Sequence, residues 1–223
     1  MPLATSTSEA ASLAVSAREA QRLQTRARLF DTAVAEVGRS GLARTDVATI
    51  AAAAGVSRGT FYFHFPTKEH VLIELERNEE ADMVATLATE TSEPGDLMSM
   101  LTLLVRQVLA AEGRLGPVVF RDMLGLHFSA TRPVEHELGE HPLAGFVIAA
   151  IAEAQAAGRV ARDADAGELG LIFMTGLFAL LATGGAPRTR AALLDRYVKT
   201  IVREWRRHEQ HGHRGLPDLS GAP

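Results

Sequence analysis

The stretch from Asp46 to Lys68, DVATIAAAAGVSRGTFYFHFPTK, constrains the fold of this 223-residue chain more than any other. Asp46 is a good N-cap, and Val47, Ile50, Ala51 and Ala54 come after it at helical spacing, so a small apolar face forms behind it. Gly55 then ends the helix, because a residue without a Cβ takes the left-handed conformation that turns a chain after a helix C-terminus. Ser57 caps a second helix. Val56, just before that cap, can pack on Phe61, a hydrophobic staple that sets the angle of the second helix. Phe61 and Phe65 share one face and are predicted to pack inward. Pro66 pushes Phe65 out of the helical region, and Thr67 is placed to cap a third helix. Lys68 falls in the first turn of that third helix, where backbone N–H groups and an ammonium together favour an anion such as phosphate.

The outward face of the second helix carries Arg58, Gly59, Thr60, Tyr62, Phe63 and His64: a cation, a backbone open to close approach, a hydroxyl and aromatic rims. Spacing alone fits an ordinary helical hairpin equally well. The outward series favours a helix-turn-helix whose second helix lies in the major groove of DNA, since a hairpin has no reason to expose so much aromatic surface.

From Arg28 to Lys68 the sequence resembles the DNA-binding domain of tetracycline-repressor (TetR) type regulators. The residues that carry the likeness are LFDTAVAEVGRSGL, T-D-V-x-x-I-A-x-x-A-G-V-S and R-G-T-F-Y-F-H-F-x-x-K, in order and at matching spacing. The resemblance implies DNA contacts from Thr45, Ser57, Arg58, Gly59, Thr60, Tyr62, Phe63, His64 and Lys68. Three positions depart from the pattern: Ala48 stands where Arg is common, Val37 where Phe is common, and Phe63 where Tyr or His is usual. The first removes a phosphate contact. The last leaves Phe63 either a thymine-methyl contact or simple packing.

Charge is divided in the same sense. The chain is −4 overall, yet residues 1–68 hold 8 Lys+Arg against 5 Asp+Glu, net +3, leaving 15 against 22, net −7, for the remainder. A locally positive module on an acidic body focuses phosphate attraction where the reading helix sits. Hydrophobic content of 47% is ample for a core. No window approaches the roughly 18 apolar residues of a membrane span, and the N-terminus has no signal-like pattern, so a cytoplasmic location is expected. With no cysteine, disulfides, thiolate metal sites and cysteine nucleophiles are excluded.

The fold expected is all-α, with four parts: an arm over residues 1–17, a helix-turn-helix domain over 18–68, a helical ligand-binding and dimerisation domain over 69–208, and a flexible tail over 209–223. In the first helix Leu23, Ala27, Phe30, Val34 and Val37 form the predicted core stripe, with Arg18, Arg22, Arg26 and Arg28 largely off it. After Lys68 a long helix puts Val71, Leu72 and Leu75 inward, and its carboxylates Glu74, Glu76, Glu79, Glu80 and Asp82 read as solvated charge. The resemblance implies that this helix links the two domains. Ser92 to Gly95 marks a break and Thr131 to Pro142 a polar loop.

Met98, Leu101, Phe120, Met123, Phe146, Phe173 and Met174 read first as plain core. The resemblance raises a second use for them, the lining of an adaptable apolar ligand cavity in which His127 orients a polar group. Near the C-terminus Leu194, Val198, Ile201 and Trp205 form a stripe, and Gly170 and Gly176 permit close helix approach. The resemblance makes these two helices a dimer interface. The tail carries His208, His211 and His213, but Gly212, Gly215 and Pro217 deny it a fixed geometry, so no metal site is expected.

No nucleophile elbow, P-loop, dinucleotide fingerprint or H-E-x-x-H is present, so neither an enzyme nor a cofactor is expected. The expectation is a homodimeric regulator, acting as a repressor, that binds a palindromic operator in double-stranded DNA and is released by a small, largely apolar effector. The alternative is a helical dimeric protein-interaction module whose helix-turn-helix no longer binds specific DNA.

Overall fold

The computed structural model describes residues 5–90, 96–129, 141–183 and 186–207, with side chains from residue 16 to 206. The expected break at 92–95, most of the loop at 131–142 and the tail at 209–223, with His208, His211 and His213, lie outside the described residues. The described residues form nine α-helices and no strand: α1 Thr5–Ser40, α2 Val47–Ala53, α3 Arg58–His64, α4 Lys68–Glu90, α5 Leu97–Leu115, α6 Pro117–Leu126, α7 Pro142–Ala156, α8 Ala166–Ala182 and α9 Pro187–Arg207. A single 3-10 turn, Leu42–Arg44, joins α1 to α2. The chain is therefore all-α, with the helix-turn-helix at its N-terminal end and a helical domain after it.

Two compact units are formed. One comprises Met1–Leu75 with Leu115–Pro133, the other Glu76–Arg114 with Val134–Pro223. The chain passes from one unit to the other within α4, and α6 belongs to the N-terminal unit.

In the first unit the core gathers Leu29 and Ala33 of α1, Val47, Ile50 and Ala54 from α2 and its cap, Phe61 and Phe65, and Val71 of α4. A second cluster joins Val37, Leu72, Ile73 and Leu75 to Val119 and Leu126 of α6. Two expectations about α1 need correction. The helix begins at Thr5, well ahead of residue 18, because residues 5–17 contain neither Gly nor Pro to stop it. The buried stripe is Leu29, Ala33 and Val37, while Leu23 is 53% exposed and Ala27 is also open. The core it packs on begins only at Leu29, since α2 and α3 have seven residues each and cover no more of α1.

In the second unit α7 packs on α8 and α8 on α9. Tyr197 of α9 donates its hydroxyl to the Phe173 carbonyl at 2.9 Å, and its ring stacks on Phe173 at 5.6 Å. Burial pushes the Tyr197 pKa up to about 12, so the hydroxyl stays a donor at any working pH. Arg190 of α9 pairs with Glu112 of α5, and Arg114 with Glu79 at 2.7 Å. Glu76 and Glu80 are not solvated as expected: both are 4% exposed. The Glu80 carboxylate accepts the Leu143 N–H at 3.5 Å and lies 3.5 Å from His141 Nδ1, so it holds the first turn of α7.

Gly176 sits beneath Tyr197. A Cβ there would lie 2.2 Å from the tyrosine oxygen and 2.7 Å from Cζ. Gly176→Ala is expected to cost about 1–3 kcal/mol by overpacking, read as a lower midpoint in urea unfolding. An unchanged midpoint would show that the ring yields freely.

Candidate nucleic-acid interface

The site rests on two helix caps. Asp46 accepts the Ala48 N–H at 3.1 Å and starts α2. Gly55, at φ 67°, ends it: its N–H reaches the Ala52 carbonyl at 3.1 Å and the Val56 N–H reaches the Ala51 carbonyl at 2.9 Å, the paired bonds of a Schellman turn. Ser57 Oγ accepts the Thr60 N–H at 3.1 Å and starts α3, with its hydroxyl 2.9 Å from that of Thr60. Val56 packs against the cluster that holds Phe61, as the staple requires. Phe65 caps the other end in extended geometry, ahead of Pro66.

Phe61 and Phe65 are 0% and 2% exposed, with ring centroids 5.7 Å apart. They turn the opposite face of α3 outward. Arg58, Gly59, Tyr62 and Phe63 are exposed, as is the cap residue Ser57, while Thr60 and His64 are half-buried. Tyr62 meets Phe61 edge-on at 5.6 Å and Phe63 meets His64 edge-on at 5.0 Å. Burial lowers the His64 pKa, and the positive charges of Arg22 and Arg26 lower it further. The middle of α1 thus brings cationic charge to the C-terminal end of α3.

Two of the expected contact residues are used differently. Thr45 is 4% exposed, and its hydroxyl donates to the Gly41 carbonyl at 2.8 Å; it closes the turn after α1 and offers nothing outward. Lys68 Nζ donates to the Leu42 carbonyl at 2.6 Å and the Thr45 carbonyl at 2.9 Å. Two of its three donors therefore brace that same turn. Pattern reading missed this because both acceptors are backbone groups more than twenty residues away. It also missed Asp122 of α6, which accepts the Leu42 N–H at 2.6 Å, and Arg26, which pairs with Glu74 and lies 4.7 Å over the Phe65 ring.

The residues expected to line a ligand cavity fall in both units. Phe120 and Met123 are buried and His127 half-buried in the first; Leu101, Phe173 and Met174 are buried and Met98 and Phe146 half-buried in the second. Phe173 is committed to Tyr197 and Trp205. A cleft of about 280 Å³ in the second unit is lined instead by Val160, Ala161, Asp163, Ala164, Leu169, Glu204 and Trp205. The expected dimer stripe is largely covered within its own chain. Leu194, Val198 and Trp205 are 0%, 1% and 7% exposed within their own chain, Ile201 is half-buried, and Gly170 and Gly176 receive Ile148 and Tyr197. These residues hold the helices of the second unit together, because an amphipathic stripe packs on its own neighbouring helices.

The fold and the site define a helix-turn-helix protein with a further helical unit. The sequence profile of the tetR family of bacterial regulatory proteins matches residues 29–75. That match takes in the helix-turn-helix and the first turns of α4. It is 39% identical over 57 residues to the probable acrEF/envCD operon repressor of Escherichia coli K12, a match covering 26% of each protein. The curated relatives it first matches are thus spanned over about a quarter of their length. Among solved structures, it shares its fold with Thermus thermophilus FadR, a TetR-family transcriptional repressor in complex with lauroyl-CoA (TM-score 0.66, 21% identity, 88% of this chain and 100% of that one). The Bacillus subtilis regulator FadR in complex with stearoyl-CoA is also similar (TM-score 0.58, 18% identity, 78% and 96%).

Lys68 and Arg58 separate bracing from contact. Lys68→Ala is expected to destabilise the protein by about 1–3 kcal/mol through loss of charge-assisted bonds, whereas Arg58→Ala, exposed and unpacked, should leave the urea midpoint within about 0.5 kcal/mol of wild type. Equal midpoints in both variants would remove the bracing role.

Proposed function

We propose that this chain regulates transcription in the cytoplasm as a homodimer: it binds a palindromic operator, acts as a repressor, and lets go when a small, largely apolar effector binds its C-terminal domain. The observation that carries the reading is the open face of α3, with Arg58, Gly59, Tyr62 and Phe63 exposed while Phe61 and Phe65 anchor the helix from behind. Arg58 would reach a guanine edge, and Ser57, Thr60, Tyr62, His64 and the third donor of Lys68 would meet backbone phosphates or base edges. Thr45 would act only through the turn it closes.

Two recognition helices related by a two-fold axis read two half-sites, which is why the reading includes a dimer. Its surface is better sought on the open faces of α8 and α9. There Leu171, Ile172 and Leu193 are 45%, 56% and 42% exposed, and Thr175 continues the α8 face one turn on from Leu171 and Ile172. Release by effector is a population shift: the effector binds the arrangement that cannot hold DNA, and its differential affinity limits how far the equilibrium moves.

Selection of random duplex DNA on the purified protein at moderate salt tests the central statement. A palindromic consensus is expected, with affinity falling steeply as salt rises. Failure to enrich any sequence would move the protein-interaction reading ahead. Lauroyl-CoA and stearoyl-CoA, held by the two fold neighbours, are the first effectors to try on the selected site.

Charged substitution of both helix faces, Ile172→Glu with Leu193→Glu, is expected to give a folded monomer by light scattering that no longer retains the operator. A dimer that survives it would place the interface elsewhere. The lowered His64 pKa gives a further expectation. A DNA phosphate beside the ring would raise that pKa again, so binding takes up a proton and affinity rises as pH falls toward the lowered imidazole pKa of the free protein. The slope should vanish in His64→Gln; if it persists, the proton is taken up at another group.

A further inference from the structure

Phe63 is the most exposed large apolar side chain among the described residues, at 72%. It stands on a helix whose other phenylalanine, Phe61, and C-terminal cap, Phe65, are both buried, and the ring it meets is that of the adjacent His64, edge-on. Simple packing is therefore not its role. A lone exposed apolar residue is ordinary on a protein surface, but this one lies on the face proposed to enter the groove, one helical turn beyond Gly59. Helical side chains lean toward the N-terminus, so the ring tilts over the turn that Gly59 leaves without a side chain. A Cβ at Gly59 would meet nothing closer than Ser57 Oγ at 3.6 Å, so the space beside Gly59 on this face is open to a partner.

The chemistry of the ring narrows what that partner is. Phenylalanine has no donor for a phosphate oxygen and no donor or acceptor for the polar edge of a base. In the major groove the one apolar group displayed by a base pair is the C5-methyl of thymine. Resting on the proposed DNA-binding function, we infer that Phe63 is a specificity-determining residue that reads a thymine methyl in each half-site, giving the protein a base preference that involves no hydrogen bond. Arg58 and Phe63 would then select by different means, one by donors and one by apolar contact.

Replacing thymine by deoxyuridine removes that methyl and changes nothing else in the base pair. Each thymine of the selected operator is replaced in turn, and full-length wild type, Phe63→Ala, Phe63→Leu and Phe63→Tyr are titrated against the series. At one thymine of each half-site the wild type is expected to lose about fourfold in affinity, the factor that burial of a single methyl-sized group supplies. Phe63→Tyr should keep that loss and Phe63→Ala should show none, and the coupling in this cycle is the quantity that reports the contact. Phe63→Leu supplies a second apolar variant should Phe63→Ala bind too weakly to titrate. Indifference of the wild type to every deoxyuridine, or the same loss with and without the ring, overturns the inference while an operator that still depends on Arg58 leaves the DNA-binding function standing. Selection that yields no operator removes both.

Discussion

The burial of Phe61 and Phe65 is the interaction on which the interface depends. A seven-residue helix in water has no stability of its own, because nucleation costs more than so few hydrogen bonds return. Each phenylalanine taken fully out of water contributes about 1.5–3 kcal/mol, and the pair also fixes rotation about the helix axis. That rotation is what exposes Arg58, Gly59, Tyr62 and Phe63 together. The capping serine and the Val56 staple set where α3 begins; the two aromatic anchors set which way it faces.

Around this anchor the N-terminal unit is tied by polar groups that come from far along the chain. Lys68 and Asp122 both close on the short turn between α1 and α2, one through carbonyls and the other through an N–H. Arg26, held charged by its hydrogen bonds to Glu74, lies over the face of Phe65. Each tie satisfies backbone or charged groups that the short helices leave open, which is why the unit needs α6 although α6 comes after α5 in sequence.

The second unit uses buried polarity in another way. Glu80 takes an N–H at the start of α7, and the Tyr197 hydroxyl returns to carbonyls of α8. Glycines at 170 and 176 let Ile148 and Tyr197 sit against α8, so the apolar stripe of α9 is consumed inside the second unit. What α8 and α9 leave open is a different face, including Leu171, Ile172 and Leu193.

The sequence by itself determined the all-α class, both caps of the helix-turn-helix, the stop at Gly55 and the inward pair on α3, because each depends on residues within a few positions of one another. It also identified the open face of α3, where spacing alone decides direction. Tertiary structure alone decided what Thr45 and Lys68 are bonded to, where α1 begins to be covered, the burial of Glu76 and Glu80, and which face of α9 is inward. Those outcomes rest on partners tens of residues away, and helical periodicity reports that a face is apolar without saying which neighbour covers it.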